Sequence, residues 1–169
     1  MKPKHALLAL AAAALLGWGG CRLLREPPEE RVRAAFAALA ESLDKRGSDE
    51  GPLRTLSKRD DFAALLDDTV TVTARELGWS GTRTREEAST RVFSQRQFAR
   101  VLWVYFGEIG VQVAPDGLSA TATCDARLSA DSAWSPMREE VRGVRARLVR
   151  KDGRWLFSEA EVLPAAKTP

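Results

Sequence analysis

Residues 93 to 109 read FSQRQFARVLWVYFGEI, and the period assigned to this stretch decides the architecture. Ser94 with Gln97 has the spacing of a capping box, in which a hydroxyl and a carboxamide satisfy two otherwise unpaired amides reciprocally. Phe93 before the cap and Phe98 after it have the spacing of a hydrophobic staple. Phe98, Leu102, Tyr105 and Ile109, with Val101, recur at intervals of three and four, which places them on one face of a helix. The spacing therefore predicts a helix from Ser94, ended near Gly107 or Gly110, whose apolar face lies on the strands that follow.

Outward from this stretch toward the N-terminus, the first twenty residues read as a targeting segment. Lys2 and Lys4 precede an apolar run from Ala6 to Leu16, and Gly19-Gly20 leads into Cys21. The run is short for a membrane span, which needs roughly 20 apolar residues. The pattern resembles a bacterial lipoprotein signal with Cys21 as the lipidated residue, although Trp18 stands where such signals usually carry Leu. The resemblance implies residues 1–20 as signal, 21–28 as tether, and a domain at 29–164 held by lipid to a membrane of the cell envelope, facing the periplasm, with a tail at 165–169. Arg22 in place of Asp after the cysteine favours the outer membrane. The 26 basic and 23 acidic side chains come close to balance once Lys2 and Lys4 are set aside. No cationic excess then remains for phosphates, and no nucleic-acid partner is expected. Cys124 has no second thiol to pair with if Cys21 is acylated, and its apolar strand position reads as a buried small hydrophobe.

In chain order, Pro27-Pro28 followed by Glu29-Glu30 starts a helix, since Pro suits the first turn and acids favour the N-terminal dipole. Val32, Ala35, Phe36, Leu39 and Leu43 mark its inner face, and Lys45-Arg46 before Gly47 suggests its end. Residues 48–52 read as loop, and Ser57 with Asp60 as the cap of a short second helix through Phe62, Leu65 and Leu66. Val70 and Val72 among threonines read as the first strand. The polar segment 78–90 fits either a loose hairpin or a loop. After the 93–109 stretch, Pro115-Asp116-Gly117 signals a turn. Leu118, Ala120, Ala122, Cys124, Ala126 and Leu128 then alternate with polar residues, the period of a half-buried strand. Residues 130–138, with Trp134, read as loop, and Val144, Ala146 and Leu148 alternate with Arg145 and Arg147 in another strand. Asp152-Gly153 makes a tight hairpin turn. The last strand, from Arg154, is apolar on both faces at its start, so its inward face is open. Helices followed by mostly antiparallel strands give an α+β class, with helices on one side of the sheet.

Two segments, FAALLDDTVTV at 62–72 and KDGRWLF at 151–157, together with the element order between them, resemble the nuclear transport factor 2-like superfamily. Its cone-shaped α+β fold is shared by polyketide cyclase-like and ketosteroid isomerase-like proteins. The resemblance covers residues 29 to 164 and implies N-terminal helices packed on a curved sheet, with a pocket between them that members use for catalysis or to hold small molecules. None of the family's catalytic residues finds a match here.

The chemistry available is narrow. His5, in the leader, is the single histidine, so triads and histidine-based metal sites are excluded from the domain. No phosphate loop, cofactor motif or metal cluster appears. Acid–base work would fall to a carboxylate with Tyr105, which could also be a buried structural hydroxyl. The small face of Ala122, Cys124 and Ala146 either lets a helix lie close or leaves space for an apolar ligand ringed by Phe98, Leu102, Tyr105 and Phe106. The Arg127, Arg145 and Arg147 set reads as solvated sheet surface or a meeting point for anionic headgroups. The leading expectation is a non-catalytic, lipid-anchored module that binds a small apolar ligand or an envelope protein partner. The alternatives are a lyase- or isomerase-like enzyme using a pocket carboxylate with Tyr105, and an accessory subunit that assembles through its sheet face.

Overall fold

A computed structural model describes residues 26–47, 50–75, 78–132 and 135–163. The signal segment, Cys21, Trp134 and the 165–169 tail lie outside the described residues. Helix α1 spans Pro28–Leu43 and α2 spans Pro52–Ala64; β1 runs Leu66–Ala74 and β2 Trp79–Thr84. Helix α3 spans Arg85–Arg96, followed by β3 Ala99–Phe106, β4 Gly110–Val113, β5 Ser119–Ser132, β6 Ser135–Lys151 and β7 Arg154–Val162. The seven strands form one sheet in the order β2-β1-β7-β6-β5-β3, with β4 also on β5. All pairs are antiparallel except β1 with β7. The α+β expectation holds, with the helices on one side of the sheet. No described helix is long and apolar enough to cross a membrane.

The 93–109 stretch is not a helix. Phe93 and Ser94 belong to the last turns of α3, where the Ser94 hydroxyl donates to the Arg91 carbonyl at 2.8 Å rather than capping a new start. Residues 99–106 form β3, antiparallel to β5. The physical reason is the unbroken run of Val101 to Phe106, all apolar and mostly β-branched or aromatic, which satisfies a helical and a strand period equally and prefers the pleated surface. The working capping box lies ten residues earlier. Thr84 Oγ1 accepts from the Glu87 amide at 3.2 Å, and Glu87 Oε2 accepts from the Thr84 amide at 3.0 Å.

Other boundaries shift for local reasons. Helix α1 ends at Leu43, and Lys45 forms a bridge with Leu102, its amide donating at 2.8 Å and its carbonyl accepting at 2.9 Å. Lys45 and Arg46 are therefore not in the last turn. Helix α2 begins at Pro52 rather than near Ser57, because Pro at the first turn is pre-shaped for a helix. The loop expected at 130–138 contracts as β5 and β6 extend into it.

The alternation is as expected from Ala120 to Cys124 and from Ala146 to Leu148, whereas Leu128, expected on the inner face, is exposed. Ala120, Ala122, Cys124, Ala146 and Leu148 are buried, while Thr121, Thr123, Asp125, Arg127, Arg145 and Arg147 face solvent. Leu118 lies just outside β5 and is exposed. Asp152 and Gly153 take φ of 50° and 77° in the β6–β7 hairpin, the left-handed pair that a two-residue turn demands. The open question in β7 is answered by a bulge. Leu148 pairs with Phe157 but Arg147 pairs with Glu159, so Ser158 is the extra residue. It lets Trp155 and Phe157 point inward before it and Ala160 after it, while Glu159 and Glu161 stay outside with Arg147 and Arg145.

The core sits between α1 and the middle of the sheet. Phe36, fully buried, meets Phe106 and Phe157 edge-on at centroid distances of 5.1 and 5.0 Å. Val32 and Phe36 share one buried cluster with Ala120, Ala122 and Ala146. The small side chains are what allow a helix carrying Phe36 to lie so close to the strands.

Candidate functional site

On its helix side the sheet carries a recess that borders the core at Phe157, the ring that meets Phe36. It is an apolar cavity of about 200 Å³ at the β2–β1–β7 end, roofed by α3. Strand pairing explains its lining. Val70 pairs with Arg83, Val72 with Gly81 and Ala74 with Trp79 across β1 and β2, so these pairs share one face of the ribbon. Val72 also pairs with Ala160 on β7, and Leu66 with Phe157. Phe62 of α2, Leu66 and Val70 of β1 and Phe157 of β7 are buried and form the floor, and Ala88 of α3 is buried in the roof. Leu39 and Leu43 from α1, Val92 from α3, and Val72 and Ala160 from the sheet form half-buried walls.

The mouth is built differently. Gly78, Ser80, Gly81, Arg83 and Arg91 are exposed there, with Trp79 half-buried among them. Arg91 reaches from α3 to lie over the Trp79 ring, 4.6 Å from its centroid, a cation–π contact that ties the roof to the β2 edge. Gly81 has φ of 130°, and a Cβ placed on it would meet nothing within 4 Å. A side chain there would strain the backbone and project into the mouth. Among the described lining residues there is no carboxylate, histidine or tyrosine.

None of the seven residues expected to line a pocket lines this one. Tyr105 is 65% exposed and Phe98 57% exposed. The correction follows from β3 being a strand: alternation turns Trp103 and Tyr105 out and leaves Leu102 and Phe106 on the α1 side, where Phe106 packs on Phe36. Ala122, Cys124 and Ala146 are buried in the core cluster under α1, so the alanine face accommodates the helix rather than a ligand. Burial pushes the Cys124 thiol up to about 11, with Asp125 adding to it, consistent with an inert small hydrophobe. The residues that do form the mouth, Trp79, Gly81 and Arg83, come from a segment whose hairpin became readable only through its register with β1.

A second buried feature is ionic. Arg96, at the end of α3, donates from Nε to the Leu43 carbonyl at 2.9 Å and from Nη2 to the Asp44 carbonyl at 2.6 Å. Nη2 also pairs with Glu50 Oε2 at 2.7 Å, the two side chains being 3% and 7% exposed. Lys58 donates to the Asp44 carbonyl as well, and burial lowers its ammonium pKa against the pull of Glu50 and Asp44. This cluster closes the C-terminus of α1 and holds the α1–α2 connection to α3; Glu50 and Arg96 do not line the apolar cavity.

No known family model matches the chain, and no curated protein matches it in sequence. Solved structures do. A candidate scytalone dehydratase from Novosphingobium aromaticivorans superposes with a TM-score of 0.64 at 15% identity, over 79% of this chain and 81% of that one. The Kfla4162 protein from Kribbella flavida gives a TM-score of 0.68 at 14% identity, over 82% and 90% of the two chains. A candidate dehydratase of the nuclear transport factor 2-like family from Streptomyces avermitilis gives 0.61 at 15% identity, over 81% and 95%. At such identities the likeness speaks to the fold, and with the helices and the curved, mostly antiparallel sheet described above, this chain has the nuclear transport factor 2-like fold.

Proposed function

We propose that the domain is a binding module that holds a small apolar ligand in the cavity beneath α3, tethered to a membrane of the cell envelope through lipid on Cys21. The observation that carries the ligand reading is the cavity itself: about 200 Å³ walled by aliphatic and aromatic side chains from six elements. Apolar cavities of about 150 Å³ stay dry and accept benzene, so this one has room for about a single ring or a medium-length chain. Calorimetric titration with 1-octanol tests it. The full chain carrying Cys21→Ser should bind the alcohol, and adding Ala160→Leu, which fills a wall, should abolish the heat. Equal binding by both proteins would place the alcohol elsewhere and sink the reading. The tether reading rests on the Lys2 to Cys21 pattern and is tested separately, by metabolic labelling with an alkynyl fatty acid. Label on the native chain that persists in Cys21→Ser would overturn it.

A lyase- or isomerase-like activity draws support from the candidate dehydratases among the structural neighbours. Its intended groups do not assemble, however. Tyr105 lies on the solvent side of β3, and elimination in this cavity would need a base that its described lining lacks.

A further inference from the structure

We propose that the ligand is an amphiphilic anion, with its apolar body in the cavity and its single negative head held at the mouth by Arg83 and Arg91. The inference rests on the cavity reading above and adds the charge of the occupant. Register fixes the first cation: Arg83 faces the same way as Val70, its partner on β1, and so stands at the edge of the apolar floor. The second comes from the opposite wall, where the Arg91 guanidinium of α3 sits over the Trp79 ring, 4.6 Å from its centroid. A cation–π contact uses none of the guanidinium's N–H donors as hydrogen bonds, so they can still fork onto a carboxylate or phosphate.

These two cations lack the partners that others on the sheet have. On the outer face Arg127, Arg145 and Arg147 each pair with a glutamate, Glu139, Glu161 and Glu159 respectively. Arg83 and Arg91 have no ion pair among the described residues. The charge of Arg83 is felt by Glu87, but that carboxylate is engaged by the Thr84 amide in the capping box. Two unpaired cations at the rim of a carboxylate-free apolar cavity favour a negative head, tolerate a neutral one and repel a positive one. The volume limits the body to about eight non-hydrogen atoms, a little above what a benzene-sized cavity holds.

The test compares octanoate, octyl phosphate, 1-octanol and octylammonium by calorimetry on the full chain carrying Cys21→Ser. Either anion should bind about tenfold or more tightly than the alcohol, the size of effect that charge-assisted hydrogen bonds give, and octylammonium should bind more weakly than all three. Preference for the phosphate points to a lipid-type head and preference for octanoate to a free acid. In the Arg83→Gln/Arg91→Gln variant the ratio of anion to alcohol affinity should fall to within about threefold. Equal affinity of alcohol and anions in the parent, or an anion preference that survives the double substitution, refutes the inference and leaves the cavity reading standing. Absence of binding by any of the four refutes both.

Discussion

Replacing Arg96 by methionine should be among the most damaging single changes in the described fold. The guanidinium makes three hydrogen bonds of 2.6 to 2.9 Å, to the carbonyls of Leu43 at the end of α1 and of Asp44 just after it, and to Glu50, and both ionic side chains are under a tenth exposed. Methionine fills much of the same volume but supplies no donor. Glu50 would then be a buried carboxylate already short of one partner, since its Oε1 has no hydrogen bond in the intact protein. Breaking a buried pair from one side costs about 3–5 kcal/mol, a large part of the roughly 5–15 kcal/mol that holds a domain together. At about 2–4 °C per kcal/mol for a chain of this size, the melting temperature should fall by roughly 6–20 °C. Urea unfolding followed by far-ultraviolet circular dichroism measures the free-energy loss, and a thermal scan of the same signal the fall in melting temperature. The informative comparison is Arg96→Met/Glu50→Met, which removes the stranded charge and should recover much of the loss. A single variant within about 1 kcal/mol of the parent, or a double variant less stable than the single, would refute the claim that this pair is buried and coupled.

Three further outcomes follow from particular contacts. Thr84→Ala removes the hydroxyl that caps α3 and should cost about 1 kcal/mol, read by the same urea titration. Gly153→Val places a β-branched residue at φ 77° and should cost roughly 1–2 kcal/mol, whereas Gly153→Asn should be nearly silent. In Cys21→Ser, where Cys124 is the remaining thiol, a thiol-specific dye should react slowly in the native protein and fully in urea. Because the folded thiol is raised from 9.0 to about 11, the stability it contributes is complete below pH 9 and is lost as pH rises toward 11, relative to Cys124→Ala. A flat pH response would show that burial does not hold the proton.

Much of the frame was legible in the residues. The strict alternation of Ala120 to Ala126 and of Val144 to Leu148 defines two strands and their inner face, because a half-buried sheet permits no other period. Asp152-Gly153 names its own turn, and Pro28-Glu29-Glu30 its own helix start. The central error, a helix over 94–109, arose where local signals compete. Thr84-x-x-Glu87 and Ser94-x-x-Gln97 have the same spacing, and only the first opens a helix, while six apolar residues in a row from Val101 carry no period at all. There the partner decides: β5 offers a ladder edge and α1 a surface for Leu102 and Phe106. The β7 bulge was equally hidden, since nothing in Phe157-Ser158-Glu159 announces that two residues will oppose one. The cavity was missed for a related reason. Its mouth is assembled by the register of β2 on β1, which turns Trp79, Gly81 and Arg83 inward together, and a polar, glycine-bearing segment read alone gives no sign of which parity will be used.

The claim that a ligand occupies the β1–β2–α3 cavity, rather than the space near Tyr105 and the alanine face, is tested most directly by methyl NMR during titration with 1-octanol. The account predicts that Leu39, Leu43, Val70, Val72 and Val92 methyls shift with one saturating curve, while Val101, Val111 and Val141 stay in place. Shifts centred on Leu102, Ala122 and Ala146 with silent Val70 and Val92 would contradict it.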